Sequence, residues 1–451
     1  MDYAHYCACS LILWGMVETA LPARPGAETL KLGEAALSKQ DLAAAPVKSQ
    51  EVWTLESSIR RVLEVAPEVR AADAGVRAQD GALKQARAWP NPEIELRADD
   101  KIGKDEGTGG RDLTKLILSQ SLSLSGRLRH QRKLATANLR SAQGERSNQR
   151  LSLEFQTASI FHALQLTMAN LHLAEQRLHL VDPLQDVSRR RVRAGDLSRL
   201  EQLRIGIIRE SAQQALDKAE GEFSEALSQF QVRLGLPGEL VPELAPLEPF
   251  GSVPDLAELQ AGFEDHPVLR AARDRLEAAH AGVAVARAGR WQDPVLRLFR
   301  ERDFLAGQRQ GLTGVGVTVP LPLWDRMAGR IDEAQAHVAQ AESHLQALRQ
   351  NLEGRLRQSH LHLTHLVQQG THFRTQVFEA ASELFELTRK AYAAGEADIL
   401  SLIDAHDTYS QASVKYLELL QEAWLEAAEL RLAAGRSLVE AVPSTTKGNQ
   451  P

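Results

Sequence analysis

Four histidines in the second half of the chain come nearest, in residue type and spacing, to a metal-binding pattern. They are His360, His362, His365 and His372. On a helix, His362 and His365 lie on neighbouring parts of one face, whereas His360 points elsewhere. A pair of imidazoles with no cysteine and no obvious carboxylate partner nearby is too small a ligand set for a metal centre. We therefore interpret them as surface or interhelix histidines and predict no metal site and no cofactor.

Motifs that carry catalysis are missing from the sequence. It contains no P-loop, no His-Glu-x-x-His and no Gly-x-Ser-x-Gly. Acids and histidines are scattered along predicted helices and are not gathered at loop ends. The formal net charge of −6 disfavours a nucleic-acid partner, which would favour a basic patch. The sequence therefore predicts a protein that is not an enzyme and that binds no nucleic acid.

The first residues have the pattern of an atypical leader. An apolar run extends from Leu11 to Val17, but the residues before it carry Asp2 and no lysine or arginine. We predict a signal peptide over residues 1–28 and a linker over 29–51; a frayed tail or a different start codon is the alternative. Cys7 and Cys9 precede most of the apolar run, which disfavours a lipid anchor and a disulfide framework. The sequence contains no stretch of 18 apolar residues and therefore predicts no membrane-spanning helix.

The chain repeats one unit at an offset of about 200 residues. Pro67 and Arg70 recur as Pro267 and Arg270, and a tryptophan precedes an Asn-Pro or Asp-Pro pair in both halves. Proline and tryptophan anchors in the same order make chance a poor explanation. We predict one unit at residues 52–236, a second at 253–440, a proline-rich linker at 237–252 and a disordered tail at 441–451.

Each unit has the same predicted order of elements. A helix comes first, from Glu56 to about Ala88 and from Pro254 to about Arg290, and two strands follow. Helical patterns then run far beyond the usual length, rich in Ala, Leu, Glu, Gln and Arg. About 55 residues of helix would reach roughly 80 Å. These segments predict long coiled helices.

The predicted strands alternate between apolar and polar residues. Ile94, Leu96 and Ala98 share one face in the first strand, and Val315, Val317, Val319 and Leu321 share one face in the last. The second strand places Leu116, Leu118, Leu122 and Leu124 on one face, with Ile117 and Gln120 breaking the pattern. Segments of ~10 residues with this alternation are what a transmembrane barrel needs. A half-buried soluble sheet is the alternative.

Three further observations favour the membrane. The strands are joined by polar, glycine-rich loops, Lys101 to Gly110 and Asp303 to Gly311. Trp89, Trp291 and Trp324 sit just outside strand ends on one side, as in an interfacial aromatic belt. Four strands cannot close a barrel, and open edges do not occur in lipid, so other copies must complete it.

The most specific segment, Val317-Thr-Val-Pro-Leu-Pro-Leu-Trp-Asp-Arg326, resembles the turn from last strand into long helix of the outer-membrane efflux protein family, the TolC-like outer-membrane factors. Its counterpart is Leu118 to Arg127. Trp-Pro-Asn-Pro at 89–92 is similar to the family's entry into the first strand, and the run from Ala394 to Ala405 to its second signature. The resemblance covers about residues 52–440. Its pattern looks closest to the CzcC-like branch, which serves heavy-metal pumps.

The resemblance implies a fold class that is mainly α with transmembrane β. Three protomers would form one twelve-stranded barrel in the outer membrane of a Gram-negative bacterium, with a long helical tunnel in the periplasm. The homotrimer would be a passive exit duct, recruited by a periplasmic adaptor and an inner-membrane pump of the resistance-nodulation-division type. Its implied cargo is heavy-metal cations, with drugs as the alternative.

The resemblance also implies positions for the functional residues. The hairpin tips and adaptor contacts would be Gly195, Asp196, Gly395, Glu396, Arg191 and Arg193. Asp404, nine residues after Gly395, falls at the family's aperture acid. The family often has another acid six residues after the glycine, where this chain has Glu201 and Ser401, so a double acidic ring is in doubt. Solvated helix faces are the plain alternative for Asp404 and for the arginines.

Other classes of protein explain less of the pattern. A periplasmic adaptor would carry one helical hairpin per chain, and this chain has two. A soluble coiled-coil scaffold leaves the alternating strands and the duplication unexplained. A type I secretion duct shares the architecture and differs in its cargo.

Overall fold

The computed structural model describes residues 52–99, 113–195, 197–305, 308–394 and 396–439. Several regions singled out by the sequence lie outside the described residues: the predicted leader with Cys7 and Cys9, the N-terminal linker, the loop from Lys101 to Gly110, Asp196, Gly395 and the tail 441–451.

The first unit opens with two helices where the sequence predicted one. Helix α1 spans Leu55–Val65 and α2 spans Pro67–Arg87. Between them Ala66 is extended, with φ −60° and ψ 127°. The prediction of a continuous helix was wrong because Pro67 disfavours a helical conformation at the residue before it and itself starts a new helix well.

The second unit breaks at the matching place. Helix α5 spans Leu256–Gln260, a 3-10 turn spans Phe263–Asp265, and α6 spans Pro267–Ala288. His266 is extended, with φ −53° and ψ 128°, and its ring accepts a hydrogen bond from the Val268 amide. The predicted single helix from Pro254 to about Arg290 was therefore also wrong, for the same reason.

Long helices make up most of the described chain. Helix α3 spans Arg127–Ala194 and α4 spans Arg199–Leu234. In the second unit α7 spans Ala328–Phe373, a π-helical turn spans Arg374–Phe378, α8 spans Glu379–Ala394 and α9 spans Ile399–Ala433. The 68 residues of α3 reach about 100 Å, longer than expected. No helix among the described residues is both long enough and apolar enough to cross a membrane.

Small residues let α3 and α6 approach closely. A Cβ built on Gly144 in α3 would lie 2.9 Å from the Cβ of Ala271 and 3.1 Å from the carbonyl oxygen of Pro267. Ala271 and Ala272 are buried at this contact. Since α3 also packs along α4 and α9, it links the two units through one helix. Helix α3 continues through Pro183, which lacks the amide of a regular turn.

The strands form one antiparallel sheet in the order β1-β2-β3-β4. Strand β1 spans Glu93–Asp99, β2 Leu113–Ser121, β3 Val295–Leu305 and β4 Gln308–Thr318. The central pairing of β2 with β3, from Thr114 opposite Arg302 to Ser121 opposite Val295, joins the two units. The predicted loop from Asp303 to Gly311 was wrong, because most of it belongs to the β3–β4 ladder.

The strands also end earlier than the alternation indicated. Leu122 and Leu124 follow β2, where the Leu122 amide donates to the Pro294 carbonyl and the Leu124 amide to the Leu122 carbonyl. Val319 and Leu321 follow β4, next to Pro320, which has no amide to continue a ladder. The alternation in the sequence therefore extends past the last hydrogen-bonded residues of β2 and β4.

A buried histidine joins α3, the inter-unit linker and α9. The Nδ1 of His162 is 2.8 Å from the Gln165 Oε1, and the Gln165 amide donates to the Ala245 carbonyl at 2.6 Å. The ring stacks on Trp424, with centroids 5.6 Å apart, and the Trp424 indole donates to the Glu248 carbonyl. Burial lowers the pKa of His162 from 6.5 to about 4, against a smaller opposing effect of the Gln165 bond.

This histidine makes the stability of the helical part depend on pH. Its folded pKa lies below the ordinary value, so between about pH 6.5 and 4 the unfolded chain binds more protons and stability falls as pH drops. At about pH 5 the loss is about 2 kcal/mol. His162→Asn, which keeps a partner for Gln165 but cannot titrate, should flatten the decline in melting temperature between pH 7 and 5 followed by circular dichroism. His337→Asn, at an exposed site, is the control; an unchanged slope for His162→Asn would contradict the assignment.

Candidate functional site: the exposed sheet and the hairpin ends

One face of the sheet is apolar and uncovered. In register, Ile94 pairs with Leu118, Leu118 with Leu298, and Leu298 with Val315, so their side chains form a row across all four strands. Ile94 is 74% exposed and Val315 is 67% exposed, and Val317 beside them is 62% exposed. An exposed apolar row of this kind marks contact with a partner or a membrane.

The opposite face is charged. The Lys115 Nζ lies 3.1 Å from the Glu301 Oε2 and 5.1 Å from the centre of the Phe299 ring. Phe299 covers Gly314, where an added Cβ would come within 2.4 Å of the ring. Ile117, which broke the alternation in the sequence, is buried on this face opposite Phe299. This charged face suits water, as the apolar face suits lipid.

The two outer strands each keep an unpaired edge within the described sheet. Strand β1 pairs with β2 alone, and β4 pairs with β3 alone. Backbone amides and carbonyls on such edges cannot remain unpaired in a bilayer. The sheet therefore needs neighbouring chains before it can enter lipid.

The three predicted interface tryptophans lie at one end of the sheet, next to the helices. Trp89 precedes β1, Trp291 precedes β3, and Trp324 follows β4. Trp324 is 92% exposed, and the other two are also exposed. Exposed indoles at one level of the sheet fit the border between lipid and water.

The first hairpin turns at Gly195. Its φ is +82°, a left-handed conformation that glycine adopts without strain, and its amide donates to the Val192 carbonyl. Ser198 then caps α4: the Glu201 amide donates to the Ser198 Oγ, and the Ser198 amide donates to the Glu201 Oε2. This backbone bond, together with the Ser198 hydroxyl, lowers the pKa of Glu201. The carboxylate that sequence assigned to the aperture thus closes a capping box.

The second hairpin has a related cap in which the acid and the hydroxyl exchange places. Asp398 caps α9, and its Oδ1 accepts from the Ser401 amide at 2.8 Å and from the Ser401 hydroxyl. The Ser401 hydroxyl bond and then its amide bond lower the pKa of Asp398. Ser401, another predicted aperture residue, therefore has a local role. The spacing Ser-x-x-Glu and Asp-x-x-Ser could have revealed both caps in the sequence.

Asp404 lies one turn into α9 and is exposed, whereas Ile403 and Ala405 beside it are buried. Among the residues that the structure describes, its carboxylate has no ion-pair partner. One turn later, Asp407 pairs with Arg177 of α3 at 2.9 Å and ties the two units together. Sequence reasoning missed this pair because its members are 230 residues apart.

The remaining tip residues are also exposed. Arg191 and Arg193 occupy the last turn of α3, where the helix dipole favours positive charge. Glu396 is exposed, and its amide donates to the Ala391 carbonyl at 2.9 Å. Charges of both signs are therefore displayed at the hairpin ends.

Two of the four histidines make separate contacts. His360 Nε2 lies 3.1 Å from the Pro254 carbonyl oxygen, and His362 Nδ1 lies 2.9 Å from the Glu426 Oε2. The expectation that His362 has no nearby carboxylate was wrong, because Glu426 reaches it from α9. In the described part of the chain, no three His, Cys, Asp or Glu residues are grouped so as to hold a metal ion.

The model of one protein family matches both units. The outer membrane efflux protein family aligns with residues 58–236 and 259–436, which is most of the chain. The chain belongs to this family.

Individual relatives agree with the family match. The cobalt-zinc-cadmium resistance protein CzcC of Cupriavidus metallidurans is 24% identical over 362 residues, covering 79% of this chain and 84% of the relative. The nickel-cobalt-cadmium resistance protein NccC of Alcaligenes xylosoxydans xylosoxydans is 23% identical over 315 residues, covering 68% and 70%. The predicted CzcC-like branch is confirmed.

Solved structures share the fold. CusC, described in terms of transmembrane channel formation, gives a TM-score of 0.68 at 18% identity and covers 86% of this chain and 95% of its own. The outer membrane protein VceC of Vibrio cholerae gives 0.67 at 18% identity, covering 85% and 96%. The predicted fold class is confirmed. This outer-membrane efflux protein lies in the outer membrane, with its helices in the periplasm. It is a channel protein and not an enzyme. The alternatives of a periplasmic adaptor and a coiled-coil scaffold are not favoured.

The apolar sheet face generates a direct test. Val317→Arg should place a charge in lipid at a cost of about 2–4 kcal/mol near mid-membrane and reduce the assembled, detergent-extractable oligomer in outer-membrane fractions. Thr318→Arg is the matched control, because Thr318 is exposed on the charged face of the same strand. Equal yields of assembled protein for the two variants would show that the Val317 face does not meet lipid.

Proposed function

We propose that this efflux protein is the outer-membrane exit duct for divalent heavy-metal cations, delivered by a periplasmic adaptor and an inner-membrane pump of the resistance-nodulation-division type. The observation that carries the cargo is the match over more than two thirds of the chain to relatives named for cobalt, zinc, cadmium and nickel resistance. The duct is passive, and the pump selects the cargo.

Three copies form the duct. Each chain supplies four strands and two unpaired sheet edges. Three chains joined edge to edge give twelve strands, within the range of closed membrane barrels, and leave no free edge. The charged sheet face then lines a water-filled lumen, and the apolar face meets lipid. We assign residues 52–236 and 253–440 to the two repeated units, with 237–252 between them.

The hairpin ends meet the adaptor. The exposed charges of Arg191, Arg193 and Glu396 support this assignment, since electrostatic complementarity gives an interface its register and specificity. Gly195 allows the reversal at the first tip. We place Asp196 and Gly395 at the tips by their position in the sequence.

Asp404 forms the cation-selective aperture. Its exposed carboxylate has no described ion partner and lies one turn from the second tip. Three copies on a common axis would present a ring of carboxylates, which attracts cations and repels anions. Glu201 and Ser401 take part in the caps of α4 and α9, and Ser401 lies one turn before Asp404.

Removing the ring should change conduction. In planar bilayers, Asp404→Ala should increase single-channel conductance and weaken block by multivalent cations about tenfold, equivalent to roughly 1.4 kcal/mol. Asp217→Ala, at an exposed acid in α4, is the matched control. Unchanged conductance and block in Asp404→Ala would remove Asp404 from the aperture and leave the duct itself in place.

The growth of host cells on metal salts tests the proposed cargo. Loss of this protein from its host should lower the inhibitory concentrations of zinc, cobalt and cadmium salts several-fold and leave tolerance of a macrolide antibiotic unchanged, because the partner pump supplies metal ions. Expression of the wild-type chain should restore tolerance. Sensitivity to the antibiotic with unchanged metal tolerance would replace the metal cargo by drugs.

A further inference from the structure

Two arginines interrupt the apolar face of the sheet. Leu296, Leu298, Arg300 and Arg302 alternate on one side of β3, and register places Arg300 opposite Leu116 and Thr313. Arg302 lies opposite Gly311 on β4. Both arginines therefore extend from the side that faces lipid.

Neither arginine has an ion-pair partner among the described residues, and both are exposed. On the other face of the same strand, Glu301 pairs with Lys115 at 3.1 Å. A guanidinium is always charged and keeps five donors that need acceptors. Among the residues that the structure describes, the two guanidinium groups therefore leave donors available for acceptors outside the chain.

A second copy of the chain cannot supply them. Strand β3 lies inside the sheet, between β2 and β4, and neighbouring copies add at the edges of β1 and β4. The outward face of β3 is therefore covered by membrane lipid even in the assembled barrel.

The position of the two arginines along their strand gives their depth in the membrane. On β4 the outward residues are apolar at Val317 and Val315 and become polar at Thr313 and Gly311, opposite the two arginines. The tryptophans and helices are at the other end of the sheet, on the periplasmic side. The arginines thus lie at the outer border of the apolar band, where a charge costs little compared with the membrane centre.

We propose that Arg300 and Arg302 bind the phosphate groups of lipopolysaccharide in the outer leaflet. Guanidinium groups donate paired hydrogen bonds to phosphate, and two of them spaced two residues apart can hold one phosphorylated headgroup. The Thr313 hydroxyl adds a donor beside Arg300, and Gly311 leaves open space beside Arg302. Exposed Leu116 lies beside Arg300, and exposed Leu298 lies two residues nearer the tryptophan end, where both can contact the acyl chains. The proposal rests on the outer-membrane location and is independent of the cargo.

Native mass spectrometry of the full-length protein in detergent tests the site by counting the lipid A molecules that it binds. Wild type should bind bisphosphorylated lipid A about tenfold more tightly than dephosphorylated lipid A, because paired charged bonds are lost. Arg300→Gln with Arg302→Gln should lose this preference, whereas the double lysine variant should keep part of it. Arg297→Gln is the matched control, since Arg297 is exposed on the charged face of the same strand.

Three outcomes would overturn the proposal. One is equal binding of the two lipid A forms by wild type, which needs no variant to fold. Another is an equal loss of binding in Arg297→Gln. A third is equal displacement of lipid A by phosphatidylglycerol, which would make the site one for any anionic lipid. None of these outcomes changes the assignment of the duct or its cargo.

Discussion

Backbone amides and carbonyls that enter a bilayer find no water to bind, so every strand edge in lipid must be paired. The described sheet of this efflux protein has an exposed apolar face that is stable in lipid and two unpaired edges that are unstable there. These two requirements conflict in one chain and agree only in a closed ring of chains. In the proposed trimer, closure of the sheet permits membrane insertion and also brings together the long helices, which continue from the strands.

The two repeated units contact each other at two distant places. In the sheet, β2 of the first unit pairs with β3 of the second. Along the helices, α3 packs on α6 and α9, where Gly144 lies against Ala271 and Arg177 pairs with Asp407. Both contacts cross between units, so the units are joined in the sheet and again along the helices.

Residue patterns with a fixed period were readable from the sequence, and contacts between distant residues were not. The alternation at Ile94 and Val315 predicted the apolar face because period two is a property of the strand itself. Pro67 and Pro267 served as anchors of the repeat, yet their effect on the preceding residue, which breaks each helix, was overlooked. The pair formed by His362 and Glu426 depends on how α7 meets α9, and no local spacing encodes it.

The hairpin ends show why position within a family motif does not fix the role of a charge. Glu201 and Ser401 occupy equivalent positions, and each completes a cap whose other member, Ser198 or Asp398, supplies the complementary group. Acid and hydroxyl have exchanged places, and in both caps the side chain of the cap residue accepts from the amide three residues later. Glu201 is therefore engaged by the amide and the hydroxyl of Ser198 before it can act on a passing ion. In the proposed trimer the aperture charge then depends on Asp404, and one ring holds a divalent cation less firmly than two would, which favours release outward over retention.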